Sequence, residues 1–266
     1  GAEAMNGAGP VLSTLAGIVY ALILAPIIVV VMLAFSADNF ILFPPSGYSL
    51  RWFQALSAHA PLLSALGLSL QVACVVTLLS LAIGVPAALA LAKGTFRGKE
   101  ALTGFFLAPL LLPTLITGLA LLLFFTPLRL TATLPGLVLG HMTVTVPFVI
   151  RMMTTALSNL PHDIEAAAAT LGATPWRVVR RVTLPLATPG LIACACLSFL
   201  LSFDETVISL FISGPRASTL PVEMVRYVEG RTDPLIAALS VVLIIATLII
   251  VVAVERLVGV ARAVGK

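Results

Sequence analysis

Long apolar runs, broken by proline, glycine and charge, dominate the chain. They fall at about 11–35, 65–92, 101–125, 134–150, 189–213 and 234–254, each near the ~20 residues that a helix needs to cross bilayer hydrocarbon. The strict alternation of a membrane β-strand is absent. The pattern therefore predicts an all-α polytopic membrane protein with six transmembrane helices, residues 1–266 forming a single transmembrane domain. The first run is too long for a signal-peptide core and has no Lys or Arg before it, so it reads as a retained helix, with Met5 a candidate natural start.

Composition sharpens this picture. Hydrophobic residues make up 60% and charged residues 10%, with mean hydropathy +1.14. Soluble domains carry about 25% charge, so a water-soluble enzyme or nucleic-acid-binding domain is excluded. The net charge of +4 reflects loops that set topology rather than affinity for nucleic acid. Lys93, Arg97, Lys99, Arg151, Arg177, Arg180, Arg181, Arg256, Arg262 and Lys266 fall on one side if both termini are cytoplasmic. Arg51, Arg129, Arg216, Arg226 and Arg231 fall on the other. The bias predicts cytoplasmic termini, although the last outside loop carries three arginines. Cys74, Cys194 and Cys196 lie inside apolar runs and form neither a disulfide framework nor a metal-ligand spacing.

Two connecting stretches are longer than connection requires. Outside, 36–63 combines turn-forming Pro and Gly with aromatics suited to a membrane interface. Inside, 151–188 has helical content of its own. Asn159-Leu160-Pro161 ends the fourth helix, since proline disfavours helix for its predecessor. Asp163 and Glu165 then suit the first turn of a new short helix, and Ala166 to Ala169 are its strongest helix formers. Gly172 stands where a left-handed cap needs a residue without Cβ. Thr174-Pro175 reads as an N-cap followed by proline at the first helical position. The second helix is expected to run to about Thr183 and stop before Pro185. Helices this short normally need a docking partner.

Gly172, nine residues, then Val182-Thr183-Leu184-Pro185, preceded by an acidic alanine-rich helix, resembles the EAA loop of binding-protein-dependent ABC importer permeases. In that family the loop's helix inserts into a cleft of the cytoplasmic ATPase and transmits its closure to the transmembrane helices. The resemblance assigns ATPase coupling to Glu165, Ala166, Ala167, Ala168, Gly172, Leu184 and Pro185. Ala166 occupies the family's usual glutamate position and Glu165 lies one residue earlier, a shift of about 100° around a helix. The alternative for the loop is an interfacial helix whose Arg177, Arg180 and Arg181 snorkel to lipid head groups.

Four further segments narrow the resemblance. Phe43-Pro-Pro-x-Gly-Tyr-Ser-Leu-Arg-Trp-Phe53, Leu201-Ser-Phe-Asp-Glu205, Gly214-Pro-Arg-x-x-x-Leu-Pro221 and Val254-Glu-Arg-Leu-Val-Gly259 look like the second permease of spermidine/putrescine-type importers. That subgroup also handles opines, aminophosphonates and other small nitrogenous solutes. The resemblance implies a type I importer permease in the bacterial inner membrane. Its partners would be a cytoplasmic ABC ATPase dimer, a second non-identical permease, an extracytoplasmic solute-binding protein and membrane lipid. The chain would be a transport subunit and not an enzyme, with no cofactor of its own, ATP and Mg being bound by the partner ATPase. Gly94-Thr-Phe-Arg-Gly98-Lys99 is not a P-loop, having three residues between its glycines and Glu100 where Ser or Thr belongs. A self-sufficient secondary transporter is the rival, but it would be expected to show internal repeats, and none is evident.

Asp204 and Glu205 are the candidate substrate-path residues. They lie about 15 residues into the fifth run, roughly 22 Å along a helix, where a carboxylate costs ~2.5–3.5 kcal/mol and faces water or the bundle interior. In a regular helix Ser198, Ser202, Glu205, Ser209 and Ser213 share a stripe, so Glu205 faces a polar path while Asp204 turns to a neighbour. The competing reading is structural, a carboxylate paired with arginine or capping a helix break. His141 reads as a satisfied core histidine, Gly136-x-x-x-Gly140 as a close helix contact, and His59 and His162 as solvated. Pro86, Pro109 and Pro113 are expected to bend their helices, with a re-entrant break as the alternative.

Overall fold

A computed structural model of the chain describes residues 10–264. Met5, Lys266, and the side chains of His162, Val254 and residues 257–264, Arg262 among them, lie outside the described set. In chain order come α1 (Pro10–Ala34), α2 (Arg51–Ser57), α3 (Ala60–Lys93), α4 (Lys99–Leu107) and, after a 3-10 turn at Ala108–Leu111, α5 (Thr114–Phe125). There follow α6 (Leu134–Ser158), α7 (His162–Thr170), α8 (Pro175–Val178), a π turn at Val179–Thr183, α9 (Leu184–Phe203), α10 (Val207–Ile212), α11 (Leu220–Gly230) and α12 (Leu235–Val264). Among the described residues β pairing is confined to isolated bridges, Ser36 with Tyr48 and Gly214 with Ala217. Five helical stretches are long and apolar enough to cross a membrane, and α4 with α5 makes a sixth if that bent pair is one span.

The third expected span bends at Pro113, as anticipated, and the fourth and fifth differ from the bounds of their apolar runs. The third is not one helix: its halves meet at 96°. Leu112 is forced into extended backbone (φ −83, ψ 139) by Pro113, which cannot continue the hydrogen-bond ladder. Pro86, by contrast, lies inside the continuous α3. The fourth apolar run, marked at 134–150, continues as helix to Ser158, where Asn159-Leu160-Pro161 was expected to end it, with Met153 and Leu157 continuing its buried stripe. The fifth ends at Phe203, and 204–206 separate it from α10. The helix from Pro175 also does not stop before Pro185. A π turn widens the backbone just ahead of the proline, which has no N–H to give, and α9 follows directly.

Two compact units can be described separately. One comprises residues up to 60 together with 226–249. Here the 35–50 loop is knitted by backbone bonds, Ala37 to Gly47 at 2.9 Å and Ser49 to Phe35 at 2.7 Å. Asp38 accepts the Ser46 hydroxyl and amide and the Ser36 hydroxyl. The Ser46 bonds, with Arg51 nearby, hold its carboxyl below the ordinary value. Tyr227 donates to Asp233 at 2.9 Å, and burial followed by that carboxylate pushes its phenol upward. His59, expected to be solvated, is half-buried with its ring 5.4 Å from the Tyr227 ring. Along α1 the apolar side chains from Leu12 to Ile28 are exposed, the composition of a surface that meets hydrocarbon or other helices.

The other unit spans 61–225 with the end of the last helix, and α6 is its axis. Around its first half Leu137, Val138 and Val144 pack with Val72 and Val76 of α3, Phe125 of α5, and Ile208 and Ile212 of α10. Around its second half Val149, Met153 and Leu157 pack with Ala88 of α3 and Ala187 and Cys194 of α9. Gly140 admits the Ile212 side chain so closely that a Cβ there would overlap it, so this half of the expected glycine contact is made with α10, whereas Gly136 lies against the Leu130 carbonyl of the preceding turn instead. Truncating Met153 or Leu157, both fully buried, would leave a cavity costing roughly 2–5 kcal/mol.

Candidate coupling loop and solute path

The 159–183 segment folds as two short helices around a glycine turn. Pro161, extended at ψ 119, precedes α7. At the far end Gly172 adopts φ +84, its N–H bonds to the Ala169 carbonyl at 3.0 Å, and the Ala173 N–H reaches back to Ala168 at 3.1 Å. This pair of bonds is a Schellman cap, which satisfies carbonyls the helix end leaves open and calls for a residue without Cβ. Thr174 takes the extended N-cap conformation before Pro175, although its side chain makes no capping bond. Ala166 and Ala167 are exposed and Ala168 half-buried, with Leu171 88% and Trp176 69% exposed. Leu184 is half-buried and Pro185 exposed, both on the first turn of α9.

Glu165 turns the other way. One carboxylate oxygen accepts from Lys93 Nζ at 2.9 Å and the other from the Thr183 hydroxyl at 2.7 Å. Lys93 is the last residue of α3 and Thr183 the last of the π turn. Neither partner was identified from sequence: Lys93 counted only as a topology charge, and a pairing across 72 residues leaves no local signal. Beside this triad lies a cavity of about 570 Å³ whose lining includes Thr95, Lys99, Ala169 and Pro175.

The second arrangement lies at the break after α9. Asp204 caps α9 through its backbone N–H, which bonds to Leu200 at 3.0 Å. Glu205 Oε1 accepts the Ile208 N–H at 3.0 Å, and the Thr206 hydroxyl donates to the Asp204 carbonyl at 3.1 Å. The regular-helix assignment of facing is therefore corrected. Glu205 is half-buried and caps the start of α10, while Asp204 is exposed. Local bonds from a carboxylate and a hydroxyl to nearby backbone compete with the helix ladder and end it here. His141 on α6 spans the break: Nδ1 is 3.0 Å from Ser202 Oγ and Nε2 2.9 Å from Ser209 Oγ. It is a satisfied core histidine, but its partners are members of the serine stripe, a link that spacing along either helix does not reveal.

Known proteins supply the context for this geometry. The putrescine transport system permease protein PotI of Escherichia coli (strain K12) is 35% identical over 227 residues, 83% of this chain and 80% of that one. The spermidine/putrescine transport system permease protein PotC of the same strain is 30% identical over 235 residues, 88% and 89% of the two chains. In three dimensions the chain resembles a bacterial alginate ABC transporter solved in complex with an alginate pentasaccharide-bound periplasmic protein, with TM-score 0.73 and 16% identity over 92% of this chain and 91% of that one. That fold is the type I importer permease expected from the loop motif, and relatives that are permease subunits leave no place for an enzyme or a self-sufficient secondary transporter. Residues 80–262, which carry both the capped loop and the helix break, match the model for binding-protein-dependent transport system inner membrane components, and the chain belongs to that family.

Proposed function

We propose that this permease is the second transmembrane subunit of an ATP-driven importer for a polyamine or related small cation. Likeness to polyamine permeases across most of the chain carries the reading, and the acids at the fifth-span break supply matching chemistry. A carboxylate at membrane depth costs ~2.5–3.5 kcal/mol. Asp204 and Glu205 stand together where the carbonyl end of α9 adds partial negative charge. Both repel anions and attract amines, Asp204 as the more exposed group.

In this reading both termini are cytoplasmic, and the loops at 93–99 and 159–183 face the nucleotide-binding partners. Two copies of an ABC ATPase dock on this loop and on that of a second, non-identical permease, while an extracytoplasmic binding protein delivers solute. ATP and Mg are held by the ATPases. Their closure pulls the coupling helices together and opens the path outward; hydrolysis resets it. Ala166, Ala167, Ala168, Gly172, Leu184 and Pro185 shape the docked loop, with Glu165 behind it.

The test is uptake of radiolabelled putrescine by the assembled importer in membranes. Opposite charges about 4 Å apart gain ~4 kcal/mol at an effective dielectric of 20, before desolvation. A net 1–3 kcal/mol predicts that Asp204→Asn and Glu205→Gln each lower uptake about 5–150-fold. The glutamine keeps an acceptor for the Ile208 amide, which separates charge from capping. Parental uptake by both variants, or a binding protein that selects an anion or a neutral solute, would remove the assignment.

A further inference from the structure

None of the described side chains of α7 is buried, so the coupling helix has no packed core of its own. It lies between two helix boundaries, the extended Pro161 and the left-handed Gly172. Part of its inner side borders the 570 Å³ cavity rather than other side chains. Two polar contacts reach from α7 to the end of α3 and to the turn before α9, and both converge on one carboxylate. Lys93 and Glu165 are 22% and 16% exposed at their side chains, and Thr183 is 1% exposed. The pair is thus shielded well beyond an ordinary surface ion pair. Each charge also sits at the helix end that favours it, the ammonium at the C-terminus of α3 and the carboxylate in the first turn of α7.

We infer that Glu165, with Lys93 and Thr183, is a clamp that makes α7, the end of α3 and the start of α9 move as one body, so that motion imposed on the coupling helix reaches the spans. The inference rests on the proposed docking of an ATPase at this loop and changes the role of Glu165 from docking contact to positioning residue. It also explains how the chain does without a glutamate at position 166: that position is exposed, whereas the carboxylate one residue earlier faces inward. Without the clamp, α7 would shift against the end of α3 and the start of α9, and a push on it would not reach them.

The experiment uses the whole importer in lipid nanodiscs with its ATPase, its second permease and its binding protein as purified. Three quantities are read: ATPase co-purification, basal ATP hydrolysis, and stimulation of hydrolysis by the binding protein. Docking sets the first two, whereas stimulation must pass through the spans. Glu165→Gln and Thr183→Val are expected to keep parental co-purification and basal hydrolysis while stimulation falls about fivefold or more. The exchanged pair Lys93→Glu with Glu165→Lys should recover most of the stimulation lost by either single change. Parental stimulation in Glu165→Gln overturns the clamp. So does loss of co-purified ATPase in that variant, which would make Glu165 a direct docking contact, and so does an exchanged pair no better than the worse single variant. Failure of the parental importer to co-purify ATPase overturns the docking reading and the clamp with it, whereas a parent that keeps its ATPase but is not stimulated by the binding protein overturns the clamp alone.

Discussion

His141 satisfies two serines on opposite sides of a helix break, so its removal should be felt beyond its own volume. Ser202 and Ser209 are 2% and 0% exposed, and His141→Ala would leave both hydroxyls without this partner and open a cavity. Each unsatisfied buried group costs about 1–3 kcal/mol. The expected outcome is a fall of several degrees in the thermal unfolding midpoint of the detergent-solubilised protein, with His141→Gln falling less because an amide can still reach one serine. A midpoint equal to the parental one for the alanine variant would contradict the stapling role. The serine stripe and the core character of His141 were legible from spacing and composition, but the break between the serines appeared only as the alternative in which a carboxylate caps it. Phe203, Asp204, Glu205 and Thr206 include neither proline nor glycine, so the usual marks of a helix end are missing. What ends the helix is a set of side-chain bonds to backbone, and these exist only once the chain is folded.

Among the elements, the coupling loop was the most readable because each boundary rests on a local rule. Proline starts α7, glycine ends it and Thr-Pro starts the next helix, and none of these depends on distant partners. The stop before Pro185 was misplaced because a π turn at Val179–Thr183 carries the helix into α9 without a break, a feature that local propensity does not register. Gly172→Val forces a β-branched residue into φ +84 at about 1 kcal/mol or more. Since nothing lies within 4 Å of its would-be Cβ, the penalty is conformational and local. Membrane insertion and the unfolding midpoint should change little, while co-purified ATPase drops. Gly172→Ala should give an intermediate loss, and equal recovery of ATPase across glycine, alanine and valine would show that the cap is not needed for docking.

At the scale of the whole molecule, the number of membrane crossings turns on the bent pair, and the 2.9 Å contact between Lys93 and Glu165, which flank that pair and α6, requires the pair to cross. Hydropathy marks 101–125 as apolar throughout, and it cannot register that Pro113 folds this run to 96°. A broken span carries the chain across the bilayer, whereas a re-entrant pair returns it to the side it came from. Arg97 precedes the pair and Arg216 follows α10, and both are exposed. Between them lie the pair, α6 and α9 with α10. Three crossings place the two positions on opposite faces, and two place them on the same face. Single cysteines at 97 and 216, in a background with Cys74, Cys194 and Cys196 replaced, give the count directly through labelling by a membrane-impermeant maleimide in cells and in inverted vesicles. The basic bias predicts that 97 labels only from the cytoplasmic face and 216 only from the outer face. Labelling of both from one face would make α4 and α5 a re-entrant hairpin, lower the span count by one, and contradict the Lys93–Glu165 contact, which needs both residues on the same face. Reversed labelling of both would keep the count but invert the protein, placing the capped loop away from ATP and removing the basis for ATPase docking there.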